Sequence, residues 1–500
     1  MNKHLHRIVF NAARACLMAV AETSRAHGKA AAGERGAACT HAAPPVGFHL
    51  NRLQWVCWLS IGAVMALNTS PAALAQTVVI ADPNAPRNQQ PTVLRSGNQT
   101  VQVNIQTPNA AGLSRNSYKQ FDVMADGVIL NNSRTNVSTQ LGGWVEANPW
   151  LAKGTAKVIL NQVNSIHPSL LKGAVEVAGQ RADVIIANPA GISVNGATFI
   201  NSVQVNLTTG TPQFDNNNLT GFQVRGGLVD IDGLGLDTSQ ADYTAILGRA
   251  VTLNAKVWAN DLKIATGLND LPSDSLIPST NPNIKPDSNT TAPSFALDVS
   301  RLGGMYAGKI QLIGTEAGLG VRNGGSIQAS NGPLVVSQDG WISNTGNMLA
   351  SQQLQIDTTG KFDNSGSMYA TGSLGIQSGD TQTHSGITAA LGSVNLQTQG
   401  DRKADIISQQ HATIASGLQP DGKLTDAQAL TVQANGTVQL AGQTLSLGQL
   451  RLQGDSVDVS QGTLSANTYK PKTRWSPTKP PSPLTHSTCK PVRGGIKVAA

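Results

Sequence analysis

The chain has 500 residues, of which 13% are charged and 4% aromatic, and it contains 51 glycines. Few charges together with abundant Gly, Asn, Gln, Ser, Thr and Val point to short strands joined by close turns, and the recurring apolar residues exclude a disordered chain. The net charge of +7 belongs to the ends: residues 1–75 carry +5 and residues 470–500 carry +7, which leaves 76–469 at about −5 and excludes a basic nucleic-acid-binding body.

The N-terminal region reads as an export address. Trp55 to Leu67 is a mostly apolar run, preceded by Arg52 and followed by Ala73-Leu74-Ala75, the small-x-small pattern of a signal-peptidase site. Cleavage is expected between Ala75 and Gln76, with Ala73 and Ala75 as the small residues read by the peptidase. About 13 apolar residues are too few to span a bilayer comfortably. Further upstream, Met1 to Asn11 and Leu17 to Glu22 resemble the extended signal-peptide region of very large Gram-negative exoproteins, over about the first 29 residues. That resemblance implies slowed or routed passage through the inner membrane. Residues 30–50, rich in Ala and Gly, fit no pattern. Cys16, Cys39 and Cys57 lie in this region and Cys489 in the tail, so residues 76–469 hold no cysteine. Their stability must come from backbone ladders and stacking, not from disulfides.

From Gln76 onward the pattern is one of short strands. Thr100 to Ile105 and Val203 to Leu207 alternate apolar and polar residues, while Val184-Ile185-Ile186 is continuous, as in a strand buried on both faces. Asn-Gly, Asp-Gly, Gly-Gly and Asn-Pro steps punctuate them. Residues 269–294 carry five prolines among Asn, Ser and Asp and read as a surface loop.

Past residue 320 a repeat appears. Asn323-Gly324-Gly325-Ser326-Ile327-Gln328-Ala329 is echoed from Asn344 to Ala350, from Asn364 to Ala370, and in degenerate form from His384 to Ala390. A period of about 20 residues is one solenoid coil, since three strands of about five residues plus turns use that length. Gly serves the tight turns, the apolar position points inward, and Asn323, Asn344 and Asn364 can stack as a hydrogen-bonded amide ladder. His384 would substitute in that ladder. Leucine-rich repeats share the period but not the Leu spacing. The expected fold is all-β, a right-handed parallel β-helix of the pectin-lyase-like kind.

Two stretches carry a family resemblance. Asn148-Pro149-Trp150-Leu151 follows Asn131-Asn132-Ser133-Arg134 and Gly142-Gly143-Trp144; Ala187-Asn188-Pro189-Ala190-Gly191-Ile192 precedes Gly196 and Phe199-Ile200-Asn201. They resemble the paired Asn-Pro-Asn-Leu and Asn-Pro-Asn-Gly-Ile motifs of the two-partner-secretion domain that opens filamentous haemagglutinins, haemolysins and contact-dependent growth inhibition exoproteins. The likeness runs along most of residues 76–320. Trp150 and Ala190 depart from it, standing where the family has a second Asn. The resemblance implies export by the general secretory machinery, then recognition by POTRA domains of a cognate outer-membrane β-barrel transporter, with folding outside the cell. It also raises host or bacterial cell-surface receptors as partners. Physically, Asn-Pro starts a turn, so the motifs shape corners, present a recognition surface, or do both.

Other chemistries find little support. Residues 76–469 hold three widely separated histidines, His167, His384 and His411, and no hydrolase or metalloprotease motif. No catalytic residue, metal site or cofactor is expected. Asp230, Asp232 and Asp237 form the tightest acidic group, which could meet a calcium ion from one strand face but more simply reads as solvated turn residues. A self-contained adhesin or lectin is the main rival, although Trp144, Trp150, Trp258 and Trp341 look isolated. The expected organisation is thus a signal region at 1–75, a secretion domain at 76–320 and coils at 321–469. Residues 470–500, basic and Pro-rich, read as disordered or as an out-of-frame extension of a truncated longer chain, its effector region missing.

Overall fold

The structure, a computed structural model, describes residues 77–279, 284–288 and 291–473, and the backbone of two N-terminal strands. Those strands, His6–Asn11 and Cys16–Ala21, form an antiparallel pair. The signal-cleavage residues Ala73, Ala75 and Gln76 lie outside the described residues, as does most of the 470–500 tail.

The body is a right-handed parallel β-helix, with three long sheets of 15, 12 and 15 strands among the described residues. One coil illustrates the path. Leu334–Gln338 runs in the first sheet, Ile342–Asn344 in the second and Asn347–Ala350 in the third, before Leu354–Thr358 returns to the first. Successive strands pair in parallel register, Leu334 with Leu354 and Leu354 with Leu374, Val336 with Ile356 and Ile356 with Ile376. Period-two alternation aims these residues inward, where all six are essentially fully buried. Each buried aliphatic side chain contributes about 1.5–3 kcal/mol, so the stacks hold the coils together without cross-links.

The first coils are closed by antiparallel strands. Val78–Ala81 lies against Leu113–Asp122 of the first sheet, and Thr92–Arg95 against Val101–Asn104 of the third. Tyr118 and Phe121 pack edge to face inside, with ring centroids 4.9 Å apart, and both are wholly buried.

Among the described residues, three decorations sit outside the solenoid. Thr211–Asp215, Asn218–Val224 and Asn269–Pro272 form an antiparallel sheet. Phe222, Val224 and Leu271 cover the outward Leu160, Ile185 and Leu247 of the first sheet, so Ile185 is buried from outside while Val184 and Ile186 point inward. The hairpin of Val137–Thr139 and Gly143–Val145 covers Ile129 and Ala178. Near residue 418, Leu418 and Leu424 fold over Tyr369, Ala389 and Leu445 of the third sheet.

Two sequence-based limits shift. The segment 269–294 does not begin as a loop, because Asn269–Pro272 pairs with Gly221–Val224; Pro272, lacking an N–H, ends that edge strand. The ladder also runs past residue 469: Thr468–Thr473 pairs with Gln449–Gly454, and its Pro471 occupies an outermost strand.

Candidate functional site

The two Asn-Pro motifs build the same corner. Asn148 caps a single turn of 3-10 helix, Pro149–Leu151. Its side chain is 3% exposed. Nδ2 donates to the carbonyls of Ile105 (2.9 Å) and Asn131 (2.8 Å), and Oδ1 accepts from the Trp150 backbone N–H at 3.0 Å. Asn188, fully buried, repeats the pattern: Nδ2 donates to His167 O and to Ser169 Oγ, each at 3.0 Å, and Oδ1 accepts from Ala190 N–H at 3.0 Å. Each Asn thus closes a tight turn and ties it to another stretch of chain, 43 residues away for Asn148 and 21 for Asn188.

This geometry accounts for Trp150 and Ala190. The third motif position contributes its backbone N–H to the turn, which any residue but proline supplies. Trp150 instead lies half-exposed, its indole N–H donating to Thr92 Oγ1 at 3.0 Å. Leu151 is fully buried. Gly191 has φ +123, and a Cβ there would approach Leu228 O to 3.0 Å, so glycine is required. Ile192 opens the second-sheet strand Ile192–Val194 and points into the core.

The structure does not bring the motifs into one surface. Asn148 stands on the corner leading into the first-sheet strand Val158–Val163, and Asn188 on the corner leaving its neighbour Ala182–Ala187. A six-residue strand, about 20 Å long, separates those corners.

The asparagines of the repeat are aligned residue on residue. Asn323 Nδ2 donates to Asn344 Oδ1 at 2.7 Å, and Asn344 Nδ2 to Asn364 Oδ1 at 2.8 Å, all inside the coil. His384 is the next residue in register, but the connection passes through Thr388, which stands where the two preceding coils have Met348 and Met368. Asn364 Nδ2 donates to Thr388 Oγ1 at 3.0 Å, and His384 Nδ1 lies 3.0 Å from the same hydroxyl. Full burial pushes the imidazole down to about 4, so it is neutral near pH 7.

Asp230, Asp232 and Asp237 do not share a strand face. Asp230 lies in the second-sheet strand Leu228–Ile231 and bonds Thr252 Oγ1; Asp237 lies in the third-sheet strand Leu236–Asp237 and caps Ser239. Asp232 accepts from Gly233 N–H in the turn between them. Among the described residues no cluster of three His, Cys, Asp or Glu could hold a metal ion. His167 is an exposed corner residue.

The tryptophans are less isolated than their spacing suggested. Trp258 stacks on Tyr306 with centroids 4.5 Å apart, and Trp341 meets Phe295 edge-on at 5.8 Å. The sequence signal was available: Trp258 and Tyr306 sit at equivalent third-sheet positions, but residues 259–305 between them hide the period.

Comparison with known proteins agrees with this architecture. Residues 77–344 match the family model described as the TPS secretion domain. Residues 1–50 match that of the Extended Signal Peptide of Type V secretion system, which takes in the 30–50 stretch that had no reading. Toxin CdiA of Yersinia pestis is 47% identical over 358 residues, 72% of this chain and 10% of that protein. A tRNA nuclease, CdiA-2, of Burkholderia pseudomallei is 39% identical over 360 residues, 70% of this chain and 11% of that protein. The chain therefore spans about a tenth of the length of these relatives. The solved secretion domain of filamentous hemagglutinin superposes with a TM-score of 0.51 at 29% identity, covering 64% of this chain and 99% of that one.

Proposed function

The chain belongs to the two-partner-secretion (TPS) exoproteins, and from that premise we propose that its Asn-Pro motifs are read by a POTRA-bearing outer-membrane barrel before the body folds. Its extended signal peptide and secretion domain direct it through the periplasm and outer membrane to the cell surface or the medium. The observation that carries the proposal is the burial of Asn148 and Asn188. A transporter meeting the folded body would find these side chains turned inward and fully bonded. A transporter meeting the extended chain finds them free, and strand addition to an open sheet edge supplies main-chain hydrogen bonds for capture. Folding then buries the motifs and releases the chain, coil by coil, because each coil contacts only its neighbours.

On this reading the body is an address and a scaffold. The toxin and nuclease activities named for the relatives belong to the rest of those proteins, and export serves interbacterial competition or adhesion. Deleting residues 76–320 is expected to abolish appearance of the chain outside the cell, while the signal is still cleaved in the periplasm. Continued secretion of the deleted form overturns the proposal.

A further inference from the structure

A groove of about 1110 Å³ follows the corner between the first and second sheets. It passes the ends of four successive first-sheet strands, Leu334–Gln338, Leu354–Thr358, Leu374–Ser378 and Val394–Thr398. Each of these coils puts one carboxylate on the wall: Asp339, Asp357, Asp380 and Asp401. Coils rise by about 4.8 Å apiece, so the four are spread over about 14 Å. Their places within the coil differ, which keeps the series out of the sequence repeat. None of the four has an ion-pair partner among the described residues, and Lys361 and Arg402, cations close in sequence, pair with none of them. Asp339 accepts from the Thr359 hydroxyl at 2.8 Å, Asp357 from the Gln355 side-chain amide at 2.9 Å and Asp380 from the Thr381 N–H at 2.6 Å, each through Oδ1. Oδ2 of these three and both oxygens of Asp401 have no donor among the described residues.

A fifth acceptor lines the same groove. Gln338 is 2% exposed; its Nε2 donates to Leu319 O at 2.8 Å, but its Oε1 has no donor. That oxygen occupies the place of a side chain on Gly314, another groove residue, where a Cβ would lie 1.8 Å from it. A buried acceptor left without a donor is costly, so the groove lacks a donor at its floor as well as along its wall. Towards the N-terminal coils the wall turns apolar, with Leu268, Pro278, Ile313 and Ile277, the last 58% exposed. The corner N–H groups of Asp339, Thr359, Gly379 and Gln399 already donate to carbonyls of the preceding coils. A bound chain therefore cannot extend the ladder and must be held through side chains.

We propose that this groove holds an extended basic segment of a partner polypeptide. An apolar residue of the partner seats against Ile277, and its lysine or arginine side chains reach the carboxylates in turn. Acceptors without donors call for ammonium or guanidinium groups, which carry donors and no acceptor. A spread of about 14 Å is too long for one ion and matches about four residues of extended chain. The apolar end suits a peptide and has no use for a polyamine. The site belongs to the folded body and does not depend on how the chain leaves the cell.

The test uses the full chain, purified and folded, titrated with a peptide of about eight lysines bearing a leucine at each end, the same peptide without leucines, and spermine. The leucine-bearing peptide is expected to bind most tightly, with affinity falling as salt rises. Asp380→Asn and Asp401→Asn should each weaken both lysine peptides by about threefold to tenfold, and Ile277→Ser only the leucine-bearing one, with unchanged thermal unfolding. Glu146→Gln, which removes an exposed carboxylate outside the groove, should change nothing. Spermine or the leucine-free peptide binding as tightly as the leucine-bearing one would overturn the proposal in favour of a simple polycation site. An equal loss with Glu146→Gln and Asp380→Asn would reduce the binding to attraction by the acidic body at large and overturn it too. So would binding that neither Asp substitution weakens, or no binding at all.

Discussion

At the scale of single residues, the corner asparagines do more than begin turns. Replacing Asn188 with Ala strands the His167 carbonyl, Ser169 Oγ and the Ala190 N–H inside the corner. Buried groups left without partners cost about 1–3 kcal/mol, so Asn188→Ala should lower the urea midpoint of the refolded chain measurably. Ala190→Asn, which restores the family residue, should stay within about 0.5 kcal/mol, because the turn uses only the backbone N–H at that position. The motif identities were legible in the sequence. Their partners were not, since Ile105 and His167 are brought to Asn148 and Asn188 by the coiling of the chain and leave no local trace.

His384 makes a second prediction at this scale. Its folded pKa, about 4, lies below the ordinary 6.5. Between those values the unfolded chain binds the proton and the folded chain does not. Stability is therefore lost as pH falls from 6.5 towards 4, by up to about 1.4 kcal/mol per pH unit, and is fully present above 6.5. Asp183, which burial pushes up to about 6, acts in the opposite sense, since its folded form takes up a proton first. The informative quantity is thus the difference between wild type and His384→Asn in urea midpoints at pH 7 and pH 5. The Asn variant should lose less stability on acidification; equal losses would show that the imidazole is not held neutral.

At the scale of elements, the glycine corners are steric necessities and not merely flexible links. Gly366→Ala would place a Cβ 2.0 Å from Gly346 O, and the coil can yield only by parting from its neighbour. Overpacking of this kind costs about 1–3 kcal/mol. Gly97 is the control: nothing lies within 4 Å of its would-be Cβ and its φ is not left-handed, so Gly97→Ala should be neutral or stabilising by up to about 1 kcal/mol. Thermal melts of the two variants would separate these cases. The same contrast explains what could be read in advance. The Asn-x-Gly-x-apolar-x-Ala coils repeat locally, and the stacking of Leu354 on Leu334 follows from that period. The outer sheet joins Asn218–Val224 to Asn269–Pro272 across more than forty residues, a pairing with no periodic signature. Its strand Asn269–Pro272 was hidden in a Pro-rich segment.

At the scale of the whole molecule, a solenoid must manage the sheet edges at its first coil. Here the edge of the first sheet is covered by Val78–Ala81 and that of the third by Thr92–Arg95, both antiparallel to the strands they shield. Antiparallel strands cannot continue the coil, so they end the parallel ladder where it would otherwise recruit another chain. Tyr118 and Phe121 lie wholly buried next to this cap, and removing it would open apolar surface along with main-chain donors and acceptors. Deleting residues 77–96 should therefore leave the β-sheet content of the remaining coils largely intact by circular dichroism while producing concentration-dependent association in light scattering. A monomeric deletion variant would mean that the first coil protects its own edges. The cap also gives direction to folding. Coils downstream of it are built on this capped end, so folding can propagate from it one coil at a time, each new coil adding to the open edge of the last.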